Sequence, residues 1–413
     1  MNDLAFFSGI PSIPEEFQNS RHPNINVIET DIYNKLNDEM ISYNGGNIFF
    51  DLEYAFSKTF ELTNCLSFNS GTSALFALYY GSLLNEGDEV LVPGYTFFAT
   101  ATPLFLLGCK PVLVDCCENG NISPEDIKEK ITSKTKAIIV THIWGIPCEM
   151  DIIKNIAEEY KLILLEDASH AHGASYDGKK VGTWGDGAGW SLGAKKLITG
   201  GQGGMLSTPH RDVYERALLL GHFNQRPLKE IKDIEFSHFS TTGTGLNLRM
   251  HPYAAATILE QLRNYNKDLQ ERREVASFLI DSINNIEGLS TPSIPIKASP
   301  SWYSFPIFYN KEQFLGLKKE IFVDAIQKEG AIQVDIPTST CTLDNFYPFQ
   351  VGFTGRKIKK LDIDPKSLGL SNCQVYEDKL FKMPTWYGPN RFKYAEYYIE
   401  AIKKVALMYK KLL

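Results

Sequence analysis

The chain has 413 residues, with 42 Lys and Arg against 49 Asp and Glu, so the formal net charge is −7. Hydrophobic residues make up 43% and charged residues 22%, a composition that is typical of a soluble globular protein and excludes a disordered chain. At about 150 residues per domain, this length predicts two domains or three. The mildly negative charge gives no sequence-wide attraction for nucleic acid or for an anionic membrane.

Cysteine usage and apolar runs predict a cytoplasmic protein. The seven cysteines are sparse and include no CxxC pair, which argues against a disulfide framework and a Cys-rich zinc site. The N-terminus lacks a basic segment, and Pro11 and Pro14 interrupt its apolar residues, so we predict no signal peptide. The longest uncharged run, 90–109, has about the length of a membrane span. Prolines, glycines and threonines divide it, so a buried strand followed by a buried helix explains it better than a membrane segment.

Between residues 64 and 207 the sequence alternates short apolar runs with helical patterns. The apolar runs, which are typical of strands buried on both faces, are 89–92, 111–114, 136–140 and 161–165. Helical patterns lie at 124–131, with Ser123 as the expected N-cap, and at 149–157. This alternation predicts a doubly wound, mainly parallel sheet, and ligands bind such sheets at the carboxyl ends of the strands.

A second region begins near residue 253. Residues 253–284 keep a helical period without Gly or Pro and predict one long helix. Further on, we predict a strand and two helices, at 302–309, 318–329 and 391–413. We therefore predict a large α/β domain at 46–252 and a smaller α+β domain at 253–413, with the N-terminal arm, 1–45, packing on the smaller one.

The residues Ser70-Gly71-Thr72-Ser73 stand where a strand passes into a helix. Free backbone N–H groups at the start of a helix bind phosphate, and the hydroxyls of Thr72 and Ser73 add further donors. An ordinary helix N-cap is the alternative, and these four residues alone favour that alternative.

A second motif begins where an apolar strand ends at Glu166 and Asp167, followed by His170 and His172. A carboxylate at the carboxyl end of a buried strand lies where ligands bind in this architecture. Its burial requires a cationic or hydrogen-bonding partner. The alternatives are a structural Asp that caps the turn and two histidines that belong to the core. No third ligand follows nearby, so we predict no metal site.

The third motif comprises Ser191, the pair Lys195-Lys196 and the glycine-rich turn 200–204. A lysine that is desolvated or lies near positive charge becomes nucleophilic enough to form a Schiff base. A solvated lysine pair on a turn explains this segment equally well by itself. Together, the three motifs supply what pyridoxal phosphate requires, namely a phosphate anchor, a partner for the pyridinium nitrogen and a covalent tether.

On six ordered motifs the chain resembles the sugar aminotransferases of the DegT/DnrJ/EryC1/StrS family. The motifs are Gly71-Thr-Ser-Ala-Leu75, Gly87-Asp-Glu-Val-Leu-Val-Pro93, Lys134-Thr-Lys-Ala-Ile138, Glu166-Asp-Ala168 with Ala171-His-Gly-Ala174, Ser191 with Lys196 and Gly203-Gly204, and Asn247-Leu-Arg-Met250. The resemblance runs from about residue 62 to 275. It implies an α/β, mainly parallel, seven-stranded large domain of pyridoxal phosphate fold type I, with a smaller α+β domain.

The resemblance also implies roles for single residues. Lys196 would be the Schiff-base lysine, because counting from Ser191 and from Gly203-Gly204 selects it rather than Lys195. Asp167 would pair with the pyridinium nitrogen. The other cofactor-binding positions would be Gly71, Thr72, Ser73 and Ser191 at the phosphate, Phe97 on the ring face, His170 beside the phenolic oxygen, and Asn247 at a neighbouring subunit's phosphate.

Three stretches depart from the family's pattern and leave the substrate open. Gln202 replaces a carboxylate in the glycine-rich turn. We can assign no family role to His222 and Arg226, nor to the stretch 339–350.

We therefore predict a homodimeric, pyridoxal phosphate-dependent aminotransferase. It would transfer an amino group from Glu or Gln to a keto-sugar, nucleotide-linked or a related cyclic polyol ketone, by a ping-pong mechanism with Lys196 as general acid and base. One alternative is a keto-deoxysugar dehydratase of the same family, and Lys196 and the absence of clustered cysteines count against it. The other is a non-catalytic fold type I protein that serves as a sensor or scaffold.

Overall fold

The computed structural model describes residues 3–18, 47–351 and 369–413, together with 353–354 and 357–358. The strands are β1 (Leu66–Phe68), β2 (Glu89–Pro93), β3 (Tyr95–Phe97), β4 (Lys110–Val114), β5 (Thr135–Thr141), β6 (Ile163–Asp167), β7 (Ser175–Tyr176), β8 (Lys179–Lys180), β9 (Gly187–Ser191), β10 (Gly204–Ser207), β11 (Leu289–Ser290), β12 (Ala298–Ser299), β13 (Phe305–Tyr309), β14 (Thr340–Thr342), β15 (Phe353–Thr354), β16 (Lys357–Ile358) and β17 (Leu380–Met383). The α-helices are Glu15–Gln18, Asn47–Phe60, Gly71–Gly81, Thr102–Leu106, Pro124–Lys130, Met150–Tyr160, Arg211–Gly221, Gln225–Glu230, Ile234–Ser237, Pro252–Leu262, Tyr265–Asn284, Lys319–Lys328, Tyr347–Val351, Ser371–Lys379 and Arg391–Met408. Short 3₁₀ helices are Ala5–Phe7, Phe98–Thr100, Ile143–Gly145, Leu343–Asn345 and Tyr409–Leu412.

A seven-stranded sheet with the order β1-β10-β9-β6-β5-β2-β4 organises the larger part of the chain. From β4 to β9 the neighbours pair in parallel, whereas β10 runs antiparallel to both of its neighbours. Alternate side chains of β2 enter different apolar clusters, Val90 and Val92 one and Leu91 another. The central strands are therefore covered on both faces, as their continuous apolar runs require. The mainly parallel sheet predicted from the sequence is confirmed.

Two further predictions from the sequence, the N-cap at Ser123 and the division of the uncharged run 90–109, agree with the structure. The helix Pro124–Lys130 begins after Ser123, whose Oγ accepts a hydrogen bond from the N–H of Asp126 at 3.3 Å. The uncharged run 90–109 is divided into β2, β3 and the helix Thr102–Leu106. Along the described ranges, no helix combines the length and the apolar character that crossing a membrane needs.

The single long helix predicted at 253–284 is wrong. The structure has two helices, Pro252–Leu262 and Tyr265–Asn284, and Asn264 between them has a non-helical backbone with φ −112° and ψ 2°. The first helix packs in the apolar cluster under β9 and β10, whereas the later turns of the second enter another cluster. The helical period continues across the break because both helices are amphipathic, and it does not record the change of packing partner.

That other cluster lies around the antiparallel sheet β11-β13-β17 and the helices that flank it. The N-terminal residues 3–18 join it through Ile13. The buried carboxylate of Glu329 accepts hydrogen bonds from the N–H and the Oγ of Ser12, at 3.0 and 2.9 Å. The rest of the predicted arm, 1–2 and 19–45, lies outside the described residues, and the domain boundaries stay a prediction.

Candidate functional site

The carboxyl edge of the sheet brings the three sequence motifs together. β6 ends at Asp167, β9 ends at Ser191, and β1 leads into the helix Gly71–Gly81. The backbones are so close here that side chains do not fit. A Cβ on Gly204 would lie 2.1 Å from the carbonyl oxygen of Ser70, and a Cβ on Gly71 would lie 2.7 Å from the Cβ of Ser191. Motifs that are far apart in sequence are therefore neighbours in the fold.

The start of the helix Gly71–Gly81 is both capped and suited to an anion. Ser70 is the N-cap, and its Oγ accepts the N–H of Ser73 at 3.1 Å. The Oγ of Ser73 donates to the Asn69 side chain at 2.7 Å, so that hydroxyl supports the cap. The N–H groups of Gly71 and Thr72 precede the hydrogen-bond ladder of the helix and are the donors that a phosphate uses. The motif can therefore be an ordinary helix N-cap and still leave backbone donors for a phosphate.

The two carboxylates at the end of β6 differ in their hydrogen bonding. Glu166 is buried, accepts three backbone N–H groups of the loop 182–185 at 2.7–2.9 Å, and lies 3.2 Å from Nε2 of His142. The N–H of Cys148 donates to Nδ1 of that imidazole at 3.1 Å, so Nε2 carries the proton and donates to Glu166. Successive side chains of a strand face opposite sides of the sheet. Glu166 is thus a satisfied structural carboxylate, and Asp167 faces the other side.

Asp167 is buried but keeps hydrogen-bonding capacity. Its Oδ2 accepts from Oγ1 of Thr100 at 2.7 Å, and its Oδ1 accepts from the N–H of Ser169 at 3.1 Å. Each carboxylate oxygen has a second lone pair, so Asp167 can also accept an N–H from a ligand ring. The sequence did not indicate Thr100, because 67 residues separate it from Asp167 and its only signal is that it follows Phe97 closely.

The two lysines of the third motif differ in exposure. Lys195 is exposed, whereas Lys196 is half-buried and its Nζ lies 4.5 Å from the centre of the Tyr303 ring. The same ring stacks on His170, with centroids 4.1 Å apart and planes 14° apart. The structure therefore distinguishes Lys196 from its neighbour. It also adds Tyr303, for which the sequence carried no recognisable signal.

The two histidines of the second motif are buried and neutral. Burial, and then the charge of Lys196, lowers the pKa of His170 well below its ordinary value and that of His172 to about 3. Among the described residues, Nδ1 of His170 and both ring nitrogens of His172 have no hydrogen-bond partner. His172 contacts the rings of Phe60 and Trp190 and belongs to the core. His170 lies beside the lysine and offers an unpaired nitrogen to a ligand.

The remaining predicted positions are one residue at a strand end and one on a loop. Phe97 is half-buried at the end of β3. β14, which belongs to the stretch 339–350, pairs antiparallel with β3 and lies directly beside Phe97. Asn247 is exposed, and the carbonyl of the next residue, Leu248, accepts the N–H of Asn69 at 2.8 Å. The loop that carries Asn247 therefore adjoins the start of the helix Gly71–Gly81.

Two of the unassigned residues have a structural explanation. Arg226 is buried and donates to both carboxylate oxygens of Glu53, at 3.0 and 2.7 Å, and to Glu230 at 2.7 Å. Burial, and then the charge of Arg226, lowers the pKa of His222 well below its ordinary value. This ion-pair network joins the helix of Glu53 to the helix of Arg226. Gln202 is exposed on the glycine-rich turn.

Asp115, Cys116 and Cys373 approach one another within 4.8 Å, a grouping of possible metal ligands. The Asp115 carboxylate accepts the N–H groups of both cysteines and of Asn372, at 2.8–3.0 Å. A hydrogen bond with Cys116, together with burial, raises the pKa of the Cys373 thiol. Because a metal needs thiolates and free carboxylate lone pairs, we interpret this group as a cap for the helix Ser371–Lys379.

The residues at the sheet edge fit pyridoxal phosphate. A helix N-terminus with the nearby Ser191 hydroxyl suits a phosphate, and Asp167 has lone pairs for a protonated ring nitrogen. His170 presents an unpaired nitrogen, and Lys196 presents a half-buried amine. With the seven-stranded, mostly parallel sheet, this site defines a pyridoxal phosphate enzyme of fold type I.

The chain belongs to the DegT/DnrJ/EryC1/StrS aminotransferase family, whose model matches residues 27–348. The GDP-perosamine synthase of Escherichia coli O157:H7 is 33% identical over 265 residues, 64% of this chain and 71% of the relative. The dTDP-3-amino-3,6-dideoxy-alpha-D-galactopyranose transaminase of Aneurinibacillus thermoaerophilus is 33% identical over 259 residues, 62% of this chain and 68% of the relative. Among solved structures, the chain is similar to Helicobacter pylori PseC, an aminotransferase involved in the biosynthesis of pseudoaminic acid. The TM-score is 0.77 at 21% sequence identity, and the match covers 92% of this chain and 97% of the PseC chain. The protein is a pyridoxal phosphate-dependent sugar aminotransferase, which confirms the family, the fold class and the cofactor predicted from the sequence.

Replacing Thr100 with Val should weaken the binding of pyridoxal phosphate by about tenfold, the worth of one hydrogen bond to a charged group. The substitution removes the donor to Asp167 at nearly constant volume. Thr208→Val is the matched control, because this buried threonine donates its hydroxyl to the carbonyl of Asp186 rather than to Asp167. Equilibrium dialysis of the cofactor measures the effect. Equal losses in the two variants would contradict a specific role for Thr100.

His172 should make the stability of the protein depend on pH. Its folded-state pKa of about 3 lies below the unfolded value of about 6.5, so the unfolded chain binds the extra proton between these values. The free energy of unfolding therefore falls by up to about 1.4 kcal/mol per pH unit as the pH drops below about 6.5. Urea unfolding at several pH values should show a smaller slope for His172→Phe. The exposed His238 provides the control, since His238→Asn should keep the wild-type slope.

Proposed function

We propose that the enzyme transfers an amino group from glutamate or glutamine to the keto group of a nucleotide-linked sugar. The reaction follows a ping-pong order, in which the keto acid formed from the donor leaves before the sugar binds. The proposal rests on one observation, the meeting of a helix N-terminus, the Asp167 carboxylate and the half-buried amine of Lys196 at one sheet edge. The names of two relatives, a GDP-sugar enzyme and a dTDP-sugar enzyme, support the nucleotide-linked acceptor.

The chain holds the cofactor at two ends in this proposal. Bound pyridoxal phosphate supplies a ring that accepts electrons and carries the amino group between donor and acceptor. The N–H groups of Gly71 and Thr72 and the hydroxyl of Ser191 bind its phosphate. Asp167 keeps a proton on the ring nitrogen, because a buried carboxylate favours a cationic partner. Thr100 holds Asp167 in place through its hydrogen bond.

Lys196 then has two tasks, covalent tether and proton carrier. With pyridoxal phosphate bound, its amine would hold the cofactor covalently and, when free, would carry the proton that the reacting carbon of the substrate gives up. His170 stays neutral because it is buried, so it hydrogen-bonds to the cofactor without adding charge. Phe97 covers one face of the ring.

The acceptor site involves the stretch that the sequence left unassigned. β14 lies beside Phe97, which we propose packs on the cofactor. The residues 339–350 therefore border the place where a sugar ring approaches. We propose that they take part in the choice of sugar.

We further propose that the active unit is a homodimer with shared sites. The exposed Asn247 adjoins the phosphate-binding helix. The helices Asn47–Phe60 and Pro252–Leu262 contact each other and expose Phe50, Tyr54 and Tyr253, which supports a protein interface on this side. All seven cysteines are free thiols, in keeping with our proposal that the dimer works in the cytoplasm.

Lys196→Ala should abolish the visible absorbance of the lysine-bound cofactor and reduce transamination by at least about a thousandfold. The physical reason is that the variant loses both the tether and the proton carrier. Lys195→Ala, at the exposed neighbouring position, should keep the colour and the activity. Absorption spectra and a coupled assay with glutamate or glutamine and a keto-sugar nucleotide measure both quantities. A Lys196→Ala enzyme that still transaminates would refute the proposal.

Shared sites can be tested by subunit complementation. Asn247→Ala should lose activity if it binds the partner's phosphate, and so should Lys196→Ala. Dimers reassembled from equal amounts of the two variants should regain about a quarter of the wild-type activity, because half of them are mixed and each mixed dimer has one intact site. If Asn247 serves its own subunit, both sites of a mixed dimer carry a defect and no activity returns.

A further inference from the structure

The ring of Tyr303 lies under the amine of Lys196. Nζ lies 4.5 Å from the ring centre, a distance at which an aromatic face attracts an ammonium group. The same tyrosine ring also stacks on the ring of His170, and the two ring centroids are 4.1 Å apart. Tyr303 lies outside the region predicted to bind the cofactor, 46–252, and reaches the site from the second half of the chain.

The backbone around Tyr303 is clamped onto the turn that carries Trp144 and Gly145. The N–H of Tyr303 donates to the carbonyl of Trp144 at 2.9 Å, and the N–H of Ser301 donates to the carbonyl of Gly145 at 3.0 Å. The Oγ of Ser301 also donates to the carbonyl of His170 at 3.1 Å. Two hydrogen bonds therefore fix this segment against the turn 144–145, and the third fixes it against the loop that bears His170.

The clamp imposes unusual backbone conformations. Trp144 and Trp302 both have left-handed backbones, with φ of 55° and 57°, which bulky residues avoid. Gly145 has φ of 87°, and a Cβ there would lie 2.6 Å from the Oγ of Ser301. Such conformations persist only where the surroundings enforce them, and they concentrate at functional sites.

The ring of Trp144 is held as well. Its indole N–H donates to the hydroxyl of Tyr376 at 3.0 Å. Its plane lies within 1° of that of Tyr303 and within 13° of that of His170. The ring under Lys196 is thus one member of a fixed set of parallel rings rather than a mobile surface side chain.

We propose that Tyr303 is a positioning residue whose ring face holds Lys196 in its ammonium form whenever that side chain is not bound to the cofactor. The inference rests on the proposed function of Lys196. A free lysine side chain has about 2 kcal/mol of rotamer entropy, and an amine that swings away must be recaptured before each proton transfer. The ring removes this freedom and returns the amine to one place. Because His170 on the same ring is neutral, it does not repel the amine.

The test compares Tyr303→Phe, which keeps the ring face, with Tyr303→Leu, which removes it. In the full-length protein freed of cofactor, an amine-reactive acetylating reagent labels Lys195 and Lys196, and mass spectrometry gives the ratio of the two rates. Lys195 is the internal reference for reagent and conditions. In Tyr303→Leu the relative rate of Lys196 should rise about three- to tenfold, the range of a cation–π contact at a partly exposed site. Tyr303→Phe should keep the wild-type ratio.

Readouts in the cofactor-loaded enzyme separate positioning from structural support. In Tyr303→Leu, visible absorbance should return more slowly after pyridoxal phosphate is added, and kcat should fall while KM for the sugar stays unchanged. Tyr160→Leu, at an exposed tyrosine, controls for the loss of a ring elsewhere. If Tyr303→Leu does not fold by circular dichroism, Tyr303→Met takes its place.

Two results would overturn the proposal. One is an unchanged labelling ratio in a folded Tyr303→Leu protein. The other is a Tyr303→Phe protein that behaves like Tyr303→Leu, since the hydroxyl rather than the ring would then act. The labelling ratio needs no cofactor chemistry. A failure of Lys196 to bind the cofactor in the wild type would therefore show itself separately, as a failure of the proposed function.

Discussion

The backbone of Ser70 lies against Gly204 with no space for a side chain, and the rest of the site depends on this contact. It exists because β10 reverses direction between β9 and β1 and pairs with both. Between Ser191 and Gly204 the chain passes through the segment that carries Lys196 and then through the glycine-rich turn 200–204. The start of the helix Gly71–Gly81 and the turn that carries Lys196 thereby share one edge of the sheet. A larger side chain at Gly204 would push the helix away from Ser191 and separate the anion site from the amine.

Burial sorts the polar groups around this edge into two kinds. Glu166 and Arg226 are buried with a full set of partners, as buried charges must be, because an unpaired one is costly. Asp167, His170 and His172 are buried with capacity left over, and of the two histidines it is His170 that stacks on the ring in contact with Lys196. Unsatisfied capacity at a buried group is unfavourable by itself, so its presence beside a half-buried lysine marks the place where a polar ligand binds. Asp115 belongs to the first kind, because its carboxylate accepts the N–H groups of Cys116, Asn372 and Cys373 and so caps a helix.

Much of the fold could be predicted from the sequence because its signals are local. Continuous apolar runs indicated the central strands, and Ser123 followed by Pro124 indicated the start of a helix. The break at Asn264 was missed because two amphipathic helices in succession keep the same period while their packing partners change. Thr100 and Tyr303 were missed because their contacts with Asp167 and Lys196 join distant parts of the chain.

The sequence by itself determined the mainly parallel sheet, the order of the three motifs and the cofactor that they suit. These follow from residue types at short spacings, where apolar periodicity, helix capping and the chemistry of a lysine, a carboxylate and a glycine-rich turn act locally. Only the tertiary structure decided which carboxylate of the pair is satisfied, which histidine keeps an unpaired nitrogen beside the amine, and which ring lies under Lys196. Those outcomes depend on groups brought together across the sheet edge, where burial and unpaired hydrogen-bonding capacity are set by the packing of distant segments.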